Sequence, residues 1–245
     1  MLTEIDFNQQ TDMDKNTLEF VPFLAGVIGH PISHSKSPKL HNYWLSKYNI
    51  NGHYIPLSIT TEKLKNSIKN LVDLGFRGVN ITIPHKTNVL SLADSVTDRA
   101  SLIGAANTLY FSKSGTVHAD NTDGYGFIQN IIDEIPDYDF YDKTAIIYGA
   151  GGSARAIASA LISHGIKEVG ITNRTRSKAQ IISESLGAKV SVVDWRTAPE
   201  SVAAVDLIIN ATSMGMVGQP EFSQPISRAK KTALVVDIVY NPLVT

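Results

Sequence analysis

The 245 residues carry 22 Lys+Arg against 23 Asp+Glu, a formal net charge of −1, and 43% of them are hydrophobic. This length admits one large domain or two ordinary ones with proper cores, and the balanced charge supplies no global field to select nucleic acid or an anionic membrane. The absence of cysteine excludes disulfides, thiolate metal sites and a cysteine nucleophile, and no apolar run approaches the ~20 residues of a membrane span.

Residues 1–20 are polar and acidic, lack the apolar stretch of a secretory signal, and read as an N-terminal extension. An apolar strand is expected around Leu24 to Ile28. The turn His30-Pro31-Ile32-Ser33-His34-Ser35-Lys36-Ser37-Pro38 follows, with Ser37 as N-cap and Pro38 as first residue of a helix. Leu40, Trp44 and Tyr48 lie four apart and would face the core. A second strand covers His53 to Leu57, and an amphipathic helix carries Leu64, Ile68, Leu71 and Val72 up to Gly75.

In Asn80-Ile81-Thr82-Ile83-Pro84-His85-Lys86, the apolar Val79, Ile81 and Ile83 alternate with Asn80 and Thr82. That is the period of a strand with one polar face, and Pro84 stops it for want of an N–H. Lys86, just past a strand end and beside an Asn/Thr face, is well placed to meet a polar small molecule and is a candidate for proton transfer. A helix is expected from Asn88, short strands at Asn107–Phe111 and Val117–Ala119, and a helix from Asp123 burying Phe127, Ile128, Ile131 and Ile132. Alternating strands and helices predict an α/β layer structure.

Thr144-Ala145-Ile146-Ile147-Tyr148 reads as a strand covered on both faces. Gly149-x-Gly151-x-x-Ala154 follows it and opens a helix reaching about His164. This is the glycine-rich turn of a dinucleotide-binding unit: one glycine for the turn, one for close approach to pyrophosphate, a small third residue for helix packing. Further strands are expected at Glu168–Thr172, Lys189–Val192, Asp206–Asn210 and Leu234–Ile238. About twenty residues past the glycines, where NAD proteins carry a carboxylate, stands Asn173-Arg174-Thr175-Arg176-Ser177-Lys178. Arginine suits a 2′-phosphate, so NADP is expected, anchored by Arg174 with Thr175 assisting. Arg176 and Lys178 are weaker candidates or a solvated basic surface. Asn210-Ala211-Thr212-Ser213-Met214-Gly215 ends a later strand and either borders the nicotinamide or is a simple turn.

Taken together, His34-Ser35-Lys36-Ser37-Pro38, Asn80 to Lys86, Gly104-Ala105-Ala106-Asn107-Thr108, Asn121-Thr122-Asp123-Gly124, Asn173-Arg174-Thr175 and Asn210 to Gly215 resemble the shikimate dehydrogenase family, from about Gly26 to Leu243. The resemblance implies an N-terminal α/β substrate domain over 21–122 and a Rossmann-like dinucleotide-binding domain over 123–238. Residues 239–245 would start a return segment, with the family's helical tail and its substrate-contacting glutamine absent from the sequence. The implied reaction is reversible, NADPH-dependent reduction of 3-dehydroshikimate to shikimate in aromatic biosynthesis. The resemblance also implies the site roles. Ser35 and Ser37 would bind the substrate carboxylate, and Thr82, Asn107 and Asp123 the ring hydroxyls. Lys86 and Asp123 would be the catalytic pair. Gly149, Ala150, Gly151, Gly152, Ser153, Ala154, Asn173, Arg174, Thr175, Thr212 and Met214 would hold NADP. Tyr240 would approach nicotinamide or substrate, or serve packing. A quinate/shikimate dehydrogenase and a catalytically silent binding protein on the same scaffold are the alternatives. His30, His34, His41 and His85 form no metal-ligand constellation and read as structural or rim residues. The expected partner is a small-molecule substrate, with no nucleic acid, membrane or metal, in a cytoplasmic monomer or homodimer.

Overall fold

The computed structural model describes residues 22–242, so the N-terminal extension and Leu243 to Thr245 lie outside the described residues. The chain alternates strands and helices. In order they are β1 (Phe23–Gly29), α1 (Ser37–Lys47), β2 (Gly52–Ser58), α2 (Leu64–Asp73), β3 (Phe76–Ile81), β4 (Ser95–Val96), α3 (Asp98–Ile103), β5 (Thr108–Phe111), β6 (Val117–Asp120) and α4 (Asp123–Glu134). The second half continues with β7 (Thr144–Tyr148), α5 (Gly152–Ser163), β8 (Glu168–Thr172), α6 (Arg176–Leu186), β9 (Val190–Val193), α7 (Ala198–Ser201), β10 (Leu207–Asn210) and β11 (Leu234–Asp237).

Two sheets result. The first runs β2-β1-β3-β5-β6-β4, parallel through β2, β1 and β3, then antiparallel at β3/β5 and β5/β6. Its core gathers Ile28, Leu64, Ile68, Val79, Ile81 and Leu109. The second runs β11-β10-β7-β8-β9, all parallel. Its inner strands read as unbroken apolar runs because helices cover both faces; Ala145 to Tyr148 and Leu207 to Asn210 are buried throughout. The strand order reverses between β7 and β10, which opens a crevice at their carboxyl ends, the usual place for a ligand in such sheets. Helix α4 buries Phe127, Ile128 and Ile131 in the core of the second sheet.

Four expectations are corrected. The Leu40, Trp44, Tyr48 stripe does not face the core: the residues are 46%, 42% and 64% exposed and α1 buries none of its side chains. The sheet-facing side of α1 is set instead by Leu45, packed on Val27, Ile32 and Tyr54, and by Asn42. The Asn42 amide accepts from Tyr54 N at 3.0 Å and donates to Tyr54 O at 2.8 Å, so a polar residue faces inward once the strand backbone satisfies it. Ser37 is the first helical residue and Lys36 the N-cap; Ser35 Oγ accepts from Ser37 N at 3.3 Å. Strand β3 begins earlier and ends at Ile81, leaving Ile83 54% exposed on the cleft. The helix expected from Asn88 is a short 3-10 turn, Asn88–Leu92. Helix α3 was not foreseen, although Thr97 caps it by accepting from Ala100 N at 3.3 Å, with Asp98 in its first turn.

Candidate active site

A cavity of about 770 Å³ lies between the two sheets. The turn after β3 delivers Lys86 to it. His85 N donates to Thr82 O at 2.9 Å, and Ala106 N to Lys86 O at 2.7 Å, which pins the lysine backbone. His85 itself is fully buried, its Nε2 2.7 Å from Ile59 O. Helix α4 delivers Asp123 as its first residue, where a carboxylate is favoured by the helix dipole. Lys86 Nζ donates to Asp123 Oδ2 at 2.6 Å, and the two side chains are only 14% and 20% exposed. The sequence segments thus converge on one partly desolvated ion pair.

The other Asp123 oxygen accepts from Asn107 Nδ2 at 2.8 Å. Asn107 Oδ1 in turn accepts from Thr122 N at 3.1 Å. Asn121, almost wholly buried, accepts from Asp123 N at 3.0 Å and donates to Ala105 O at 2.8 Å. The carboxylate is therefore held in orientation before any ligand arrives. Ser35, Ser37, Thr82 and Tyr240 share the same cavity wall. Lys36 Nζ donates to Tyr240 O at 3.4 Å and sits 5.9 Å from its ring centroid, and Asn241 Nδ2 donates to His34 O at 3.3 Å. These contacts tie the chain after β11 across the mouth of the cleft.

Asn80 was missed as a site residue. It lines the cavity, its Oδ1 accepts from Tyr54 OH at 2.7 Å, and its Nδ2 donates to Asn107 O at 3.3 Å. The signal was present: Asn80 and Thr82 stand two apart on one strand face. Burial, and then the neighbouring Tyr240, push the Tyr54 hydroxyl up and keep it a hydrogen-bond donor. His41 stacks on Tyr54 with ring centroids 4.1 Å apart, and burial pushes its imidazole down toward the neutral form.

On the facing wall stands the glycine-rich turn. Gly149 has φ +111°, a conformation L side chains rarely adopt, and a Cβ there would lie 2.7 Å from Ala211 O. Among the described residues nothing would lie within 4 Å of a Cβ at Gly151, so the turn leaves an open cradle. Among the described residues no side chain caps α5, which leaves its first N–H groups to meet an anion. Ala154 is buried against the core, as the close helix packing requires. Asn173, Arg174 and Thr175 leave the end of β8, whose Thr172 O accepts from Gly149 N at 2.8 Å, and they lie outside the cavity proper. Asn173 Nδ2 donates to Thr175 O at 2.9 Å and shapes this loop. Arg174 is exposed and, among the described residues, has no ion-pair partner, whereas Arg176 lies 3.9 Å from Asp194. These features fit a dinucleotide bearing a 2′-phosphate. After β10, Thr212 reaches the cavity; Met214 does not, and Ser213 and Met216 line it instead. Thr212 Oγ1 donates to Asn210 Oδ1 at 2.7 Å and accepts from Met214 N at 3.0 Å.

Comparison with known proteins agrees with this arrangement. The family model described as shikimate dehydrogenase substrate binding domain matches residues 27–109, and that described as shikimate / quinate 5-dehydrogenase matches residues 131–242. The shikimate dehydrogenase (NADP(+)) of Ruegeria sp. (strain TM1040) is 47% identical over 222 residues, 91% of this chain and 80% of the relative. The crystal structure of shikimate dehydrogenase from Aquifex aeolicus superposes with a TM-score of 0.80 at 33% identity, over 94% of this chain and 81% of the other. Quinate dehydrogenase from Corynebacterium glutamicum, solved with NAD, gives 0.81 at 30% identity, over 91% and 82%.

Proposed function

This chain belongs to the shikimate dehydrogenase family, and from that premise we propose how its residues carry out NADPH-dependent reduction of 3-dehydroshikimate to shikimate, a step of aromatic biosynthesis. NADPH, held at the glycine-rich turn from Gly149 to Ala154, would supply the hydride to the ketone carbon. The ketone oxygen gathers negative charge as that bond forms and must receive a proton. Lys86 gives it from Nζ, and in the reverse direction takes it back from the alcohol. Asp123 fixes the amine at 2.6 Å and accepts a ring hydroxyl. Thr82 and Asn107 bind the remaining hydroxyls, and Ser35 and Ser37, at a helix start, bind the carboxylate. The half of the chain carrying the first sheet holds the substrate. The half carrying the second holds the cofactor, through Gly149 to Ala154 and Asn173 to Thr175. Tyr240, on the same cavity wall, approaches the nicotinamide or the substrate. The observation that carries this reading is the Lys86–Asp123 pair, drawn from two segments 37 residues apart into one cleft facing the glycine-rich turn.

Arg174 in place of a carboxylate supports NADP over NAD. Among the described residues no helix is long and apolar enough to cross a membrane; a cytoplasmic enzyme, as monomer or homodimer, is the reading that suits a small diffusible substrate. The test is growth of NADPH absorbance when purified protein receives shikimate and NADP, with quinate and NAD in parallel. Shikimate with NADP should give the highest kcat/KM. Faster turnover of quinate with NAD would move the chain to the quinate branch.

A further inference from the structure

Lys86 is anchored from both sides of the cleft. An ammonium carries three N–H donors and no acceptor. Nζ gives one to Asp123 Oδ2 at 2.6 Å and one to Ser153 Oγ at 3.0 Å. Ser153 is the second residue of α5, in the glycine-rich turn, 67 residues from Lys86. A second observation concerns the lysine stem. A Cβ built on Gly152 would lie 2.8 Å from Lys86 Cβ and 3.2 Å from its Cδ. The methylenes of Lys86 therefore lie on the bare backbone of Gly152, and its amine on the next residue's hydroxyl.

We propose that Ser153 is a positioning residue for Lys86: its hydroxyl accepts from Nζ and turns the remaining N–H of the ammonium toward the reacting oxygen. With Asp123 alone, the ammonium swings about one contact. A second anchor on the opposite wall fixes its rotation, and small errors of placement cost much in rate. The turn that cradles the cofactor through its backbone thereby also aims the proton donor. This inference rests on the reduction proposed above.

The test uses the full chain with Ser153→Ala and Ser153→Thr. Four quantities are measured in the reducing direction: kcat and KM for 3-dehydroshikimate, the NADPH dissociation constant from its fluorescence, and the deuterium isotope effect with 4-deuterated NADPH. Loss of one hydrogen bond to a charged group predicts a fall in kcat of about 10-fold in Ser153→Ala. KM and the NADPH dissociation constant should stay within about twofold. The isotope effect should rise as the chemical step becomes limiting, and Ser153→Thr should recover most of the rate. Retained NADPH binding shows that the variant is folded. Wild-type kcat in Ser153→Ala, a fall that only follows NADPH affinity, or a threonine variant as slow as alanine each overturns the proposal. A wild-type protein that binds NADPH and turns over no shikimate overturns the functional reading itself, and this inference with it.

Discussion

At the scale of single residues, the site is a balance between two charges and the water they have lost. Lys86 and Asp123 are mostly shielded from solvent, so each depends on the other and on the amides around them. Removing the amine leaves a carboxylate still held by Asn107 and by its helix start. Lys86→Ala is therefore expected to fold, to bind NADPH with near wild-type affinity, and to lose about 10²–10⁴-fold in kcat, the usual worth of a positioned acid–base group. Stopped-flow absorbance with fluorescence titration of NADPH measures both terms; undiminished turnover would remove Lys86 from the chemistry. Lys86 and Asp123 were legible in the sequence because their motifs stand at a strand end and a helix start. The Ser153 contact was not, since it joins two walls of a cleft whose closing no local pattern encodes.

At the scale of elements, close approach decides more than propensity. Helix α4 reaches the second sheet across α5, and Gly124 is the point of contact. A Cβ there would lie 2.7 Å from Ala156 O and 2.9 Å from Ala160 Cβ. Gly124→Ala gains helix propensity but overpacks this crossing, and the clash is with backbone, which cannot swing away. The expected outcome is a net loss of about 1–3 kcal/mol in urea unfolding. Asp123, the adjoining residue, would shift with the helix, so kcat should fall as well. A variant as stable as wild type would mean that α4 and α5 slide apart freely. The inner strands β7 and β10 were legible to within a residue because burial on both faces writes an unbroken apolar run. The stripe of α1 misled because Leu40, Trp44 and Tyr48 share a face, and periodicity reports a shared face without saying what covers it. Helix α3 escaped notice because six residues hold too few apolar positions to show a period.

At the scale of the whole molecule, function and stability sit at opposite ends of the second sheet. Its carboxyl end carries the glycine-rich turn and meets the first sheet's half through Lys86–Ser153 and Arg155, whose Nη1 donates to Ile103 O at 3.4 Å. Its amino end is tied by Asp206, just before β10. Lys230 Nζ donates to Asp206 Oδ1 at 2.8 Å, and Thr144 gives both its N–H and its hydroxyl to Oδ2 at 3.0 Å. The Lys230 bond foremost holds the carboxyl down at about 2 against the opposing effect of burial, with the Thr144 bonds adding to it. In the unfolded chain it titrates near about 3.9. The folded form thus binds the proton more weakly, and its contribution is complete above about pH 4 and lost as pH falls toward about 2. Asp120 adds to the same slope: burial alone would raise it, but bonds from Arg99, Thr97 and the Asn121 amide hold it below its ordinary value. With Asp206 partly in solvent, Asp206→Asn is expected to cost only about 1 kcal/mol at pH 7. That gap should shrink by about half by pH 3, read from urea unfolding at pH 7, 4.5 and 3, while kcat at pH 7 stays unchanged. A gap that holds constant down to pH 3 would show that hydrogen-bond shape alone, and not the carboxylate charge, joins β7 to β10.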